Sequence, residues 1–171
     1  MSDAGDDGTI DLGDGAILRR ARPGDERGIL ECIRMLAEYE HEAEAVKTTE
    51  RLLRDSLFDG QPSVFAHVVE KNGTIVGIAV WFLNYSTWTG TSGIYLEDLF
   101  VHEAERANGY GYALLKRLAG IAVARGYERF EWAVLEWNEP SIRFYRKLGA
   151  VGMEEWRIQR VTGRALHALA D

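Results

Sequence analysis

"IYLEDLFV", Ile94–Val101, and "RANGYGYALLKRL", Arg106–Leu118, together decide the fold. The first is β-branched, aromatic and apolar, with two carboxylates in its middle, and reads as a strand. The second opens on Gly109 and Gly111 and passes at once into an amphipathic run. Leu114, Leu115, Leu118, Ile121 and Ala122 form the buried face of a helix over about Tyr110–Arg125. "RFEWAVL", Arg129–Leu135, reads as the next strand. Strand, helix and strand in this order make a β-α-β unit.

Upstream, Asn72-Gly73 separates "VFAHVVE" from "TIVGIAVWFLNY", and Asn-Gly between two such runs signals a hairpin. "STWTGTSG" is a second turn. Ala16–Ala21 reads as the first strand. Asp25 is a candidate N-cap for a helix carrying Ile29, Ile33 and Leu36 and ending near Tyr39. Thr48 or Thr49 caps a second helix through about Leu57. Downstream, Asn138 to Pro140 starts a shorter helix that ends at Gly149, suited to a left-handed cap. "MEEWRIQRV", Met153–Val161, is expected to close the sheet. The fold class is α/β (α+β): a mixed, mostly antiparallel twisted sheet with helices on both faces. Residues 1–15, acidic and Gly-rich, are expected to be a disordered tail, and 16–171 one domain.

Composition narrows the function. A net charge of −7 argues against binding a phosphate backbone and is compatible with a cationic small substrate. The single cysteine, Cys32, excludes an internal disulfide, and the four scattered histidines have no ligand-spaced partners, so no metal is expected. The N-terminus has neither the basic start nor the apolar stretch of a secretory signal. No apolar run approaches a membrane span. A cytoplasmic location without membrane or nucleic-acid partners is expected.

The glycine turn before a helix is suited to an anion. First-turn N–H groups are unpaired, and the helix dipole is positive there. A nucleoside triphosphate needs Gly-x-x-x-x-Gly-Lys-Ser/Thr, but Lys116 lies a full turn inside the helix. A dinucleotide needs a third glycine where Leu114 stands. The pyrophosphate of coenzyme A, held by Arg-x-x-Gly-x-Gly, fits Arg106 to Gly111. A plain tight turn fits the segment equally well when it is taken alone.

The surroundings separate these readings. "YLEDLFV" before the turn and "WNEPSIRFYRKLGA" after the next strand resemble the GNAT acetyltransferase superfamily. "LAEYE", Leu36–Glu40, and "STWTG", Ser86–Gly90, resemble its diamine branch, which includes spermidine/spermine and thialysine N-acetyltransferases. The likeness runs from about Ile17 to Ile158. It implies acetyl-CoA as cosubstrate, a small-molecule amine as acceptor and a homodimer. It also implies that the backbone of Leu99, Phe100 and Val101 pairs with the pantetheine arm. The turn Arg106, Ala107, Asn108, Gly109, Tyr110, Gly111 and Tyr112 would wrap the pyrophosphate. Asn138, with Glu139, Pro140 and Ser141, would contact the coenzyme again. Tyr145 matches the family's general acid. Tyr39, Glu40, Ser86, Trp88, Glu131, Trp132 and Ala133 match the amine end, with Tyr39 and Glu40 serving their own or a partner's site.

Amine acetylation explains these residue types. A lysine-like amine, with an ordinary pKa of about 10.4, arrives as an ammonium. A base must take its proton, and an acid should protonate the leaving thiolate. Glu97 is the candidate base. Alternation puts Glu97 and Leu99 on one face and Asp98 and Phe100 on the other. Direct transfer is favoured over an acetyl-enzyme, because Cys32 sits on an apolar stripe. Simpler readings stand beside each assignment. Tyr145 could be a core aromatic, Glu97 a carboxylate at a strand bulge and Asn138 only a helix cap. Ser86 stands where polyamine-acetylating members tend to carry Asp, which favours a shorter amine. Ala107 replaces a glycine usual in the turn, and Leu148 a basic residue. A protein lysine or N-terminal acetyltransferase and a non-catalytic coenzyme-binding module are the competing functions.

Overall fold

The computed structural model describes residues 8–171. The chain divides into two units, Met1–Ala133 and Val134–Asp171. The first carries a six-stranded sheet in simple sequence order: β1 (Ile10–Gly13), β2 (Ala16–Arg20), β3 (Val64–Lys71), β4 (Thr74–Ser86), β5 (Thr91–Val101) and β6 (Phe130–Trp132). All neighbours are antiparallel except β5 and β6, which are parallel. That exception follows from the β-α-β unit, since α3 (Tyr110–Ala124) crosses between them. The Asn72-Gly73 hairpin forms as expected, with Lys71 opposite Thr74 and positive φ at both turn residues.

Helices cover both faces. α1 (Glu26–Tyr39) and α2 (Glu50–Phe58) bury Ile29, Leu30, Cys32, Leu53 and Leu57 against Ala66, Val68, Ile78, Val80 and Phe100. Thr49 caps α2, its side chain accepting from the Leu52 N–H. The opposite face holds Phe65, His67 and Trp81, and the Trp81 indole N–H donates to His67 Nδ1 at 3.2 Å. α3 lies on this face, bringing Gly111 against the Val101 side chain. Its Leu114 and Leu118 are completely buried.

Four expectations change. The tail expected over residues 1–15 falls partly outside the described residues. From Ile10 the chain is β1, joined to β2 by a turn with positive φ at Asp14 and Gly15. This is the Asp-Gly hairpin signal, set in a stretch whose acidity reads as disorder. Asp25 does cap α1 by position, but its carboxylate bonds Arg19 and the Arg22 N–H instead of the helix. Burial alone would raise the Asp25 carboxyl. The bonds from Arg19 and Arg22 outweigh burial and hold it below its ordinary range.

The remaining two changes concern the C-terminal part. β6 ends at Trp132 rather than Leu135. Met153–Val161 is not a strand, because alternation chooses a face but supplies no partner. The unit Val134–Asp171 contains two helices, α4 (Glu139–Lys147) and α5 (Gly163–Ala170), and no strand to pair with. α5 was not anticipated.

Candidate active site

The β4–β5 ladder slips by one residue at the acidic pair. Val80 lies opposite Asp98 and Trp81 opposite Leu96, so Glu97 is the extra residue of a β-bulge. The slip reverses the faces. Leu96 follows Trp81 to the α3 side, whereas Asp98 and Phe100 follow Val80 and Ile78 to the α1–α2 side. Asp98 and Phe100 share a face, as alternation predicts, but simple alternation does not carry through to Leu96. Glu97 is exposed and Asp98 half-buried. Burial pushes the Asp98 carboxyl up to about 6, and the charges of Glu97 and Glu40 add to it. Glu40, just past the end of α1, is itself raised by burial and by Glu42. Glu97, Asp98 and Glu40 therefore form one acidic cluster. Asp98 is the member of this cluster that sequence reasoning did not single out as a candidate. Its signal was present: two adjacent carboxylates in an apolar strand cannot both face water.

β5 outruns its neighbour. β6 pairs only with Ile94, Tyr95 and Leu96, and β5 continues to Val101. On that side Leu99, Phe100 and Val101 have no strand beside them among the described residues. Their outward backbone groups are the kind an extended amide-bearing arm can pair with.

The chain then enters the glycine turn. Ala107 has φ 69° and Gly109 φ 80°, so both are left-handed. Gly109 is the N-cap of α3, whose first turn has no acidic residue. The first intrahelical bond is from the Ala113 N–H to Gly109 O, which leaves the N–H groups of Tyr110, Gly111 and Tyr112 outside the helix ladder. The Tyr110 side chain is buried, so only its backbone faces the turn. Asn108 Nδ2 donates to Glu105, which also pairs with Lys71 at 2.7 Å. Arg106 Nε donates to Val101 O at 3.3 Å. The Arg106 guanidinium lies 5.3 Å from the Tyr39 ring centroid and 6.0 Å from that of Phe100.

The residues matched to the amine end are dispersed. Ser86 Oγ accepts from the Thr89 N–H and holds the β4–β5 turn. It lies five positions along from Trp81 beside the bulge, roughly 16 Å along a strand. Trp88, at the tip of that turn, is 89% exposed. Glu131 accepts from Asn84 Nδ2 at 2.7 Å and forms a 2.9 Å ion pair with Arg129, so its charge is largely answered. Trp132 packs edge-on to Phe130, and Ala133 is exposed. Tyr39 meets Arg106, and Glu40 meets the carboxylate cluster.

In the second unit, Asn138 is the N-cap of α4, accepting from the Ser141 N–H at 3.3 Å, with Glu139 and Pro140 in the first turn. Tyr145 is half-buried on α4 beside Phe144. Gly149 has the expected positive φ. Cys32, in the first unit, is fully buried, and burial pushes its thiol up to about 12. It cannot supply a thiolate nucleophile near neutral pH.

The bulged acidic strand, the glycine turn and the helix behind it follow one another directly along the chain, from β5 into α3. Residues 29–150 match the acetyltransferase (GNAT) family. The chain belongs to that family and is an N-acetyltransferase. It is 36% identical over 165 residues to a thialysine N-epsilon-acetyltransferase of Sus scrofa, covering 90% of this chain and 96% of that protein. An L-ornithine N5-acetyltransferase of Arabidopsis thaliana is 41% identical over 95 residues, 56% of this chain and 42% of that protein. Among solved structures, an integron cassette protein from the mobile metagenome of V. cholerae superposes with a TM-score of 0.77. It is 24% identical and covers 92% of this chain and 99% of its own.

Proposed function

We propose that the protein transfers acetyl from acetyl-CoA to a primary amine of a small, cationic acceptor. A thialysine- or lysine-like compound or a short diamine is favoured over a long polyamine. The observation that carries this is the acidic cluster Glu97, Asp98 and Glu40, one strand-end away from a turn suited to a pyrophosphate. The named activities of the relatives on thialysine and ornithine support the acceptor class. Ser86 adds no carboxylate at the far end of β4, and the Glu131 charge is already paired. A second or third ammonium would find little to bind there.

The coenzyme fits the residues present. The free first-turn N–H groups of α3 and the Arg106 guanidinium suit the pyrophosphate, with Ala107, Asn108 and Gly109 shaping the turn. The outward backbone of Leu99, Phe100 and Val101 suits the pantetheine arm. Asn138 to Ser141 supply a further contact. The acidic cluster draws in the ammonium, and Glu97 takes its proton directly or through water. The amine nitrogen bonds to the acetyl carbon as the C–S bond breaks. Tyr145 gives its proton to the departing sulfur, and the second proton lost by the acylated nitrogen restores the phenol, directly or through water. The family match over residues 29–150 runs across the boundary of the two units, which supports reading residues 16–171 as a single domain. Among the described residues no helix is long and apolar enough to cross a membrane. A cytoplasmic homodimer is the working assembly.

Thiol release from acetyl-CoA, followed over thialysine, lysine, ornithine, putrescine and spermidine, tests the reading. Turnover is expected with the short amines. Tight coenzyme binding without turnover on any amine would instead identify a coenzyme-binding module.

A further inference from the structure

We propose that Tyr39 is a positioning residue for the coenzyme, forming with Phe100 an aromatic seat that fixes the Arg106 guanidinium toward the pyrophosphate. The inference rests on the reading of Arg106 as a coenzyme ligand and moves Tyr39 from the amine end of the site to the coenzyme end.

Arg106 is exposed and follows a short 3-10 turn, Glu103–Glu105. Left alone, such a side chain samples many rotamers and must be ordered when an anion binds. Three contacts restrict it here. Nε donates to Val101 O at 3.3 Å, which fixes one edge of the plane. The ring centroids of Tyr39 at 5.3 Å and Phe100 at 6.0 Å lie within reach of cation–π attraction. With Nε engaged, the two Nη groups have no hydrogen-bond or ion-pair partner among the described residues, and they form the end that can grip two phosphate oxygens.

The seat itself is firm. Phe100 is 7% exposed and belongs to the α1–α2 core. Tyr39 is the last residue of α1, and the Glu40 N–H closes that turn on Leu36 O at 2.9 Å. One turn of backbone therefore serves both halves of the site. Tyr39 meets the coenzyme-side arginine, and Glu40 meets Asp98 in the acidic cluster.

Steady-state kinetics of the full chain, with acetyl-CoA and the amine varied separately, test this. Arg106→Ala should raise the KM for acetyl-CoA roughly tenfold or more, as loss of a charge-assisted contact does. Tyr39→Leu should raise the same KM about two- to fivefold, the size of a partly exposed cation–π contact. It should leave kcat and the KM for the amine unchanged. Tyr39→Phe should restore the wild-type KM, because the ring is kept. In the Arg106→Ala background, Tyr39→Leu should change nothing further. If Arg106→Ala leaves the acetyl-CoA KM unaltered, the coenzyme reading of Arg106 fails. If Arg106→Ala acts but Tyr39→Leu does not, the aromatic seat alone is refuted. A rise confined to the amine KM would return Tyr39 to the amine end and overturn the proposal.

Discussion

Asp98 carries the sharpest consequences at the scale of single residues. Its carboxyl moves from an ordinary 3.8 to about 6, through burial first and then the charges of Glu97 and Glu40. A raised carboxyl means that the native state holds an extra proton between these values. Asp98 therefore destabilises the fold progressively as pH rises from about 4 to about 6, and by a constant amount above that. Asp98→Asn should be the more stable protein at pH 8, by about 1–3 kcal/mol, and equal to wild type at pH 4. Thermal melts at the two pH values check this. The same carboxylate should serve the reaction only when ionised. The kcat/KM for the amine is expected to fall below pH 6 in the wild type, and Asp98→Asn should lose both that acid limb and at least tenfold in kcat/KM at pH 8. A limb that survives in the variant would assign it to another group. Tyr145→Phe should lower kcat by roughly ten- to hundredfold, as loss of a general acid does, with the KM for acetyl-CoA retained. Unchanged kcat would remove Tyr145 from that role.

At the scale of elements, the turn between β5 and α3 holds an uncommon residue. Ala107 has φ 69°, a left-handed conformation that costs a non-glycine residue about 1 kcal/mol. Ala107→Gly should relieve that strain, less the entropy glycine gains when unfolded, and raise stability by a few tenths to about 1 kcal/mol. A melting temperature that falls instead would show that Ala107 makes contacts outweighing its strain. The sequence identified this turn, the α3 stripe and the Asn72-Gly73 hairpin because each has a strong local cause. Leu114 and Leu118 recur at helical spacing, and Asn-Gly favours positive φ. It missed β1 because Asp14-Gly15 lies in an acidic segment whose composition suggests disorder. It overextended β6 and proposed a strand at Met153–Val161 because alternation within a segment does not reveal whether another strand lies beside it. From sequence alone the bulge at Glu97 is one of two readings of that carboxylate. A one-residue slip is settled by the packing of Trp81 and Val80 on opposite faces, which is a non-local fact.

Across the whole molecule, the acids differ in how they are answered. Glu97, Asp98 and Glu40 are in no ion pair among the described residues, whereas the acids of the Arg19–Asp25–Glu70 network are tied down at 2.6–2.7 Å and serve the fold. The expected acceptor is therefore a free cation of modest length rather than a chain of ammonium groups or a peptide lysine flanked by neutral backbone. Competition within one reaction decides this most directly. Thialysine, ornithine, spermidine and a lysine-containing peptide are supplied together at equal concentration with limiting acetyl-CoA, and the acetylated products are quantified by mass spectrometry. Acetyl groups should appear mainly on the short free amines, with spermidine and the peptide well behind. Acetylation concentrated on the peptide, or on none of the four, would contradict the account.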